Sequence, residues 1–384
     1  MTIESTEYLF QLNQLRLTDS VFEQILIHCS KLNASDITLQ TNQPIYAEIY
    51  GRILKITRRP LANNEVGEML NLMYGPNGTA QLSSGIDVDT HYEVRPNRSE
   101  RFRFRINATS CLVEGHNGIQ LTARTIPTDP PALESMNLPQ AILEAIAPTQ
   151  GVVYVTGATG SGKSTLLASI IRYIAEQPDC HRKILTYESP IEFVYDHVHT
   201  TSAVVSQSEI PRHLPSFAAG VRNALRRKPH LILVGESRDT ETISAVMEAA
   251  MTGHPVYTTL HSNGVSETIR RLVNTFPAAE RHGRTVDLFE TIRLLIWQKL
   301  VPTVDGKQVA LREFLVFDEN IRDQLLQTPI ENVTAMTRQL LKAHGQTIVH
   351  DAERYYHQGI ISDRTYQLIL SIDKSMDQDN RVRE

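Results

Sequence analysis

Only three cysteines occur among 384 residues, Cys29, Cys111 and Cys180. Their number is odd, they lie far apart, and none stands in a CxxC spacing. This excludes a disulfide framework or a cysteine zinc site, and a reducing cytoplasm is the expected setting. Long apolar runs are missing too: no stretch approaches the roughly 18–20 apolar residues that span a bilayer. The first ten residues carry Glu4 and Glu7 in no basic-then-apolar order, so no signal peptide is read there. Any membrane association is expected through partners or surface contact. Positive charge is not in excess: the formal net charge is −5, and no global basic field draws the molecule to nucleic acid. A lysine-rich groove with interleaved aromatics is absent as well. Neither an internal repeat nor a low-complexity segment is found.

What remains is an ordinary globular composition, 41% hydrophobic and 21% charged, in a chain too long for one core at about 100–200 residues per domain. Residues 1–126 read as mixed α and β. Helical spacing covers residues 20–32, short strands cover 36–39, 45–50 and 53–56, and Gly51-Arg52 reads as the turn between the last two. A helix over residues 63–73 ends at Gly75-Pro76. Residues 101–106 alternate, which predicts Arg101, Arg103 and Arg105 on one strand face and three apolar residues on the other. Another strand is expected over 119–124. Three prolines at 127, 130 and 131 interrupt regular structure, so residues 127–137 read as a linker.

Beyond the linker the rhythm changes. Strand-like runs apolar on both faces (152–156, 183–187, 231–234, 256–260) alternate with helices starting at Lys163, Thr240 and Val265. That pattern predicts a mainly parallel sheet covered on both sides, over residues 138–318. Residues 319–384 read as helical, with a polar tail from 373.

Gly157-Ala158-Thr159-Gly160-Ser161-Gly162-Lys163-Ser164 matches GxxxxGK[ST] in full, between a predicted strand and a predicted helix. Such a loop turns backbone N–H groups inward around phosphates, and the following helix presents its positive end. These residues, with Thr165, are expected to bind ATP. Lys163 should reach the β- and γ-phosphates, and Ser164 should hold Mg²⁺.

Three further segments follow in order: Tyr187-Glu188-Ser-Pro-Ile-Glu192-Phe193, Leu231-Ile-Leu-Val-Gly235-Glu236-Ser-Arg238-Asp239, and Thr252-Gly-His254-Pro-Val-Tyr-Thr-Thr-Leu-His261-Ser262. They resemble the acidic box, the Walker B segment and the histidine box of the PilT-like branch of type II/IV secretion ATPases. The resemblance runs from about residue 21 to 370. It takes in Ala34-Ser35-Asp36-Ile37 and Arg101-Phe102-Arg103, which look like that branch's PAS-like N-terminal domain. The segments 203–211 and 297–302 look most like its type IVB members. Two departures stand out: Ser189 replaces the acidic box's usual Asp, and Lys228-Pro229-His230 replaces a stretch that is often acidic in pilus motors.

The resemblance implies an α/β protein: a PAS-like α+β domain, then a RecA-like P-loop NTPase domain and a C-terminal helical region. It implies a cytoplasmic homo-hexamer that hydrolyses ATP with Mg²⁺, recruited to the inner membrane of a type IVB secretion or conjugation machine. Partners there would include a second secretion ATPase. A pilus-retraction task is the alternative within the family, and a DNA translocase lies outside it. Glu236 is expected to polarise water or hold Mg²⁺, because it follows an apolar strand where ligands gather. Glu188 follows another and is the second carboxylate and metal candidate; which of the two is the base stays open. Glu192 shares its box. His261 is read as a γ-phosphate sensor, and His254 as either a helix cap or a functional group. Arg103 and Arg105 are read as reaching a nucleotide, the chain's own or a neighbour's, because a guanidinium fork matches phosphate oxygens.

Overall fold

Residues 8–11, 16–97, 100–126, 129–196 and 198–371 are described by a computed structural model, in which the chain divides into two units, Met1–Thr128 and Asp129–Glu384. Alternation of buried and outward positions builds the first. Its elements are α1 (Asp19–Lys31), β1 (Ala34–Gln40), β2 (Tyr46–Ile49), β3 (Arg52–Lys55), α2 (Asn63–Tyr74), α3 (Gly78–Ser83), β4 (Val88–Val94), β5 (Phe102–Val113) and β6 (His116–Ile126). The strands form one sheet in the order β3-β2-β1-β6-β5-β4, antiparallel at every pairing. Helical spacing puts Phe22, Ile25, Leu26 and Cys29 of α1 inward. They join Ile37, Phe104, Ile106 and Leu121 of the sheet in one apolar cluster.

Two sequence expectations shift here. The β2–β3 turn is Tyr50-Gly51, both at positive φ (50° and 73°), and Arg52 already pairs with Ile49. A mirror-image turn matches the twist of the strands, and glycine permits it. Strand β4 was not foreseen. It supplies the acids that answer β5's arginines: Arg105 meets Asp89 at 2.7 Å, and Arg101 and Arg103 both face Glu93. The alternation itself holds, and these acids answer its arginine face, where Arg103 is only 3% exposed.

The second unit contains α4 (Gln140–Ala145), β7 (Gly151–Thr156), α5 (Lys163–Glu176), β8 (Lys183–Glu188), β9 (Val204–Glu209), α6 (Phe217–Ala224), β10 (Leu231–Val234), α7 (Thr240–Met251), β11 (Pro255–Leu260), α8 (Val265–Thr275), α9 (Arg281–Thr291), β12 (Ile292–Pro302), β13 (Gln308–Val316), α10 (Glu319–Leu326), α11 (Val333–His344) and α12 (Ile348–His357). The sheet order is β13-β12-β7-β11-β10-β8-β9. All pairings are parallel except β12 with β13. Every residue of β7, β10 and β11 is buried, as expected of strands covered on both faces. Helices α10 to α12 share the core of this unit through Ile321, Leu325, Leu340 and Ala352.

Of the stretch read as linker, residues 127 and 128 lie outside the described residues. Leu133–Met136 forms a 3-10 turn, with Leu133 packed in the second unit's core. Arg172 of α5 donates to the Pro130 carbonyl at 2.6 Å. The polar tail from 373 also lies outside the described residues.

Candidate functional site

The carboxyl ends of β7, β11, β10 and β8 lie side by side, and each leads into one of the motif segments. Open parallel sheets bind ligands at this edge. The glycine-rich loop joins β7 to α5. Gly157 has φ 146°, and a Cβ there would strike the Gln298 carbonyl and come within 2.6 Å of Ser161 Oγ. Gly162, at φ 82°, leads directly into the first turn of α5. Only glycine can close this cup. It runs into the start of a 14-residue helix, whose positive end suits an anion.

Lys163 is 8% exposed. Its ammonium donates to the carbonyls of Gly157 and Ala158 at 3.0 and 2.9 Å. Burial lowers its pKa from the ordinary lysine value, while the nearby charges of Glu236 and Glu192 raise it. Ser164 is exposed in the first turn of α5, and Thr165 is half-buried beside it.

Glu236 lies two residues past β10. His261 Nε2 stands 3.1 Å from its Oε1, and Arg238 forms an ion pair with the same oxygen. His261 is held below the usual histidine pKa, first by burial and then by the Lys163 charge; Glu236 and a hydrogen bond to the Gly157 backbone oppose them. His261 thus lies within the fields of both Lys163 and the Glu236 carboxylate. The His261 carbonyl accepts from Arg271 at 2.7 Å, and the Ser262 carbonyl accepts from Trp297 Nε1 at 2.9 Å. The next helix, α8, has Val265 N–H donating to Glu313 at 2.7 Å.

Glu188 closes β8, a third strand away from β7. At about 5 Å per strand this is roughly 14 Å along the sheet. Its carboxylate accepts from Thr186 at 2.6 Å and from Gln207 of β9 at 3.1 Å. Glu192, half-buried in the following loop, comes nearer the lysine's field. The structure thus gathers Lys163, Glu236, Glu192 and His261 around the phosphate loop, and holds Glu188 on the β8–β9 flank. His254 sits at the opposite edge, where its Nδ1 lies 3.1 Å from both the Thr252 hydroxyl and the Ala249 carbonyl, the environment of a helix-end cap. Arg103 and Arg105 belong to the first unit, paired as described. Among the described residues no cluster of three or more His, Cys, Asp or Glu could hold a metal. A magnesium ion does not require one, since it is commonly held by one or two carboxylates plus substrate phosphates. Among the described residues no helix is long and apolar enough to cross a membrane.

Sequence reasoning gave no role to Arg238, Arg271, Trp297, Gln298 or Arg312, though Arg238 stands in the Walker B segment and Trp297 and Gln298 in the segment 297–302. Their partners lie between 2 and 137 residues away. Only Arg238 stands close enough in sequence to have been foreseen.

Residues 99–351 match the type II/IV secretion system protein family. The solved structure of the Legionella pneumophila ATPase DotB is 64% identical, with a TM-score of 0.84 over 94% of this chain and 98% of that one. A crystal structure of the pilus retraction motor PilT with bound ADP is 30% identical, with a TM-score of 0.80 over 92% and 96%. The type IV pilus retraction ATPase PilT of Pseudomonas aeruginosa is 33% identical across 78% of this chain and 83% of its own. This chain belongs to the type II/IV secretion system protein family and is an ATP-hydrolysing enzyme.

Proposed function

We propose that this chain is the ATPase motor of a type IVB secretion or conjugation machine. The first unit serves as its PAS-like domain, and the second as its RecA-like engine with a C-terminal helical region. The observation that carries the catalytic part is Lys163, Glu236 and His261 gathered at one sheet edge around a phosphate-shaped loop. ATP fits that loop: the cup has no room for a Cβ at Gly157, a helix begins behind it, and a lysine is buried within it. Residues 157 to 165 would hold the triphosphate. Ser164 and Glu236 would hold Mg²⁺, which neutralises charge on the phosphates when bound.

Glu236 and Glu192 are the first candidates for orienting the attacking water, because both charges act on Lys163. Glu188 would orient the loop that carries Glu192. His261, beside Glu236 and hydrogen-bonded to the Gly157 backbone, would sense the γ-phosphate. Arg103 and Arg105 would serve a neighbour's nucleotide within a homo-hexameric ring.

The type IVB task rests on the sequence resemblance, supported by the 64% identity to DotB. A pilus-retraction motor is the second reading, favoured by the PilT similarity at about half that identity. Recruitment to the cytoplasmic face of the inner membrane, beside a second secretion ATPase, belongs to the same proposal. Two measurements test it. Purified chain with Mg²⁺ should turn over ATP, and Lys163→Ala should weaken nucleotide binding by about one to two decades, the size of one lost charge-assisted contact set. A pull-down from native membranes should bring down type IVB channel components. Pilus components in their place would favour the second reading.

A further inference from the structure

Behind the phosphate loop lies a buried polar chain that the catalytic reading does not use. Gln298 and Arg312 face each other across the β12–β13 pair, 3% and 2% exposed. Arg312 Nε donates to Gln298 Oε1 at 2.9 Å, and Gln298 Nε2 donates to the Ser161 carbonyl at 2.6 Å. The main chain of Arg312 is itself pinned. Its N–H donates to Asp351 of α12 at 2.8 Å, and its carbonyl accepts from Gln346 at 3.1 Å. Asp351, fully buried, is completed by Arg354 at 2.7 Å.

The orientation of the Gln298 amide follows from chemistry alone. A guanidinium only donates, so the amide oxygen must face Arg312 and the nitrogen must face Ser161. The amide is therefore fixed as a donor to the loop. In a trans peptide the C=O and the next N–H point in opposite directions. Holding the Ser161 carbonyl on Gln298 therefore turns the Gly162 N–H away from Gln298. Gly162 has no side chain to interfere: a Cβ there would lie 2.9 Å from Gln298 Nε2.

We infer that Gln298, oriented by Arg312, is a positioning residue that aims the Gly162 amide of the phosphate loop at the nucleotide. The inference rests on the nucleotide reading of that loop and adds the device that holds it in shape. Phosphate is bound alike before and during reaction, so the effect belongs in affinity and KM rather than in kcat.

The test uses the full chain and titration with the fluorescent nucleotide mant-ADP in Mg²⁺, beside steady-state ATP turnover. In Gln298→Glu, Arg312 keeps its acceptor but the donor to Ser161 is lost. In the double variant Gln298→Leu with Arg312→Met, both polar partners leave together, which buried networks often tolerate in stability. Both are expected to bind mant-ADP about three- to tenfold more weakly, the size of one hydrogen bond. KM for ATP should rise in step, and kcat should stay within about twofold. Arg312→Lys, which keeps a buried donor facing the amide, should restore most of the affinity that Arg312→Met alone loses.

Wild-type affinity in either folded variant overturns the inference, and so does a fall in kcat at unchanged KM. If neither variant folds, the pair is a folding element only and the inference falls. If Lys163→Ala also binds mant-ADP normally, it is the nucleotide reading of the loop that has failed.

Discussion

Two buried charges, Glu65 in the first unit and Lys163 in the second, are taken out of water in different ways. In the first, buried Glu65 meets the Arg59 guanidinium at 2.7 Å. Opposite full charges answer one another, and the result is a stability device. In the second, Lys163 rests on two main-chain carbonyls and Arg312 on an amide oxygen. Dipoles answer a charge only in part, so burial lowers the pKa of both groups. A cation held by dipoles keeps an attraction for added anions that a paired cation has already spent on its partner. That difference marks the second unit as the one built to receive a phosphate.

The sharpest way to break the comparison is to remove a charge from each unit and measure both stability and turnover. Glu236→Gln should leave the fold intact and lower kcat by about 10²–10⁴, the usual contribution of a catalytic carboxylate. Glu192→Gln should fall in the same range, and Glu188→Gln should lose less, since its carboxylate accepts from Thr186 and Gln207 on the sheet's flank. Steady-state assays of the three would rank them. Equal losses for Glu188 and Glu192 would remove the distinction drawn from the Lys163 field.

In the first unit, Glu65→Gln should do the reverse, costing stability and leaving turnover per folded chain unchanged. The Arg59 hydrogen bonds lower the Glu65 pKa to about 2, with burial opposing and the N–H groups of Leu17 and Ala62 assisting. A carboxyl lowered in the folded state stabilises it fully above the ordinary carboxylate range, and that contribution is lost as pH falls toward 2. At neutral pH the substitution should cost about 2–3 kcal/mol. Urea unfolding at pH 7 and again near pH 3 checks it, because the gap between wild type and variant should narrow at the lower pH.

How much of this was legible in the sequence followed from how far apart the partners lie. Strands β7, β8, β10 and β11 announced themselves because both faces are apolar, and the phosphate loop because its pattern is local. Asp239 and Asp318, which cap α7 and α10 by accepting from residues three positions on, belong to the same readable scale. Strand β9, Val-Val-Ser-Gln-Ser-Glu, is an edge strand with only its last residue buried, so no apolar run betrayed it. Gln298 and Ser161 are separated by 137 positions, and nothing in either neighbourhood names the other. Motif order placed Glu188 and Glu192 together in one box. Only the sheet order, with β8 third from β7, separates their settings.

The smallest expected effect decides whether the first unit has a part in chemistry at all. Arg105 and Asp89 are 42% and 45% exposed in their side chains, and such surface pairs contribute about 0–1 kcal/mol. Arg105→Ala should therefore hardly move the unfolding midpoint of the isolated chain. If the residue serves only to pair β4 with β5, turnover in the assembled ring will not move either. If it reaches a neighbour's phosphate, ring turnover will fall by far more than the stability change, because an arginine so placed acts on charge that develops only during reaction. Measuring the same variant at concentrations below and above assembly separates the two. A loss that appears only above assembly belongs to the neighbour's nucleotide, and no loss at either concentration returns Arg105 to the role of a strand-pairing residue.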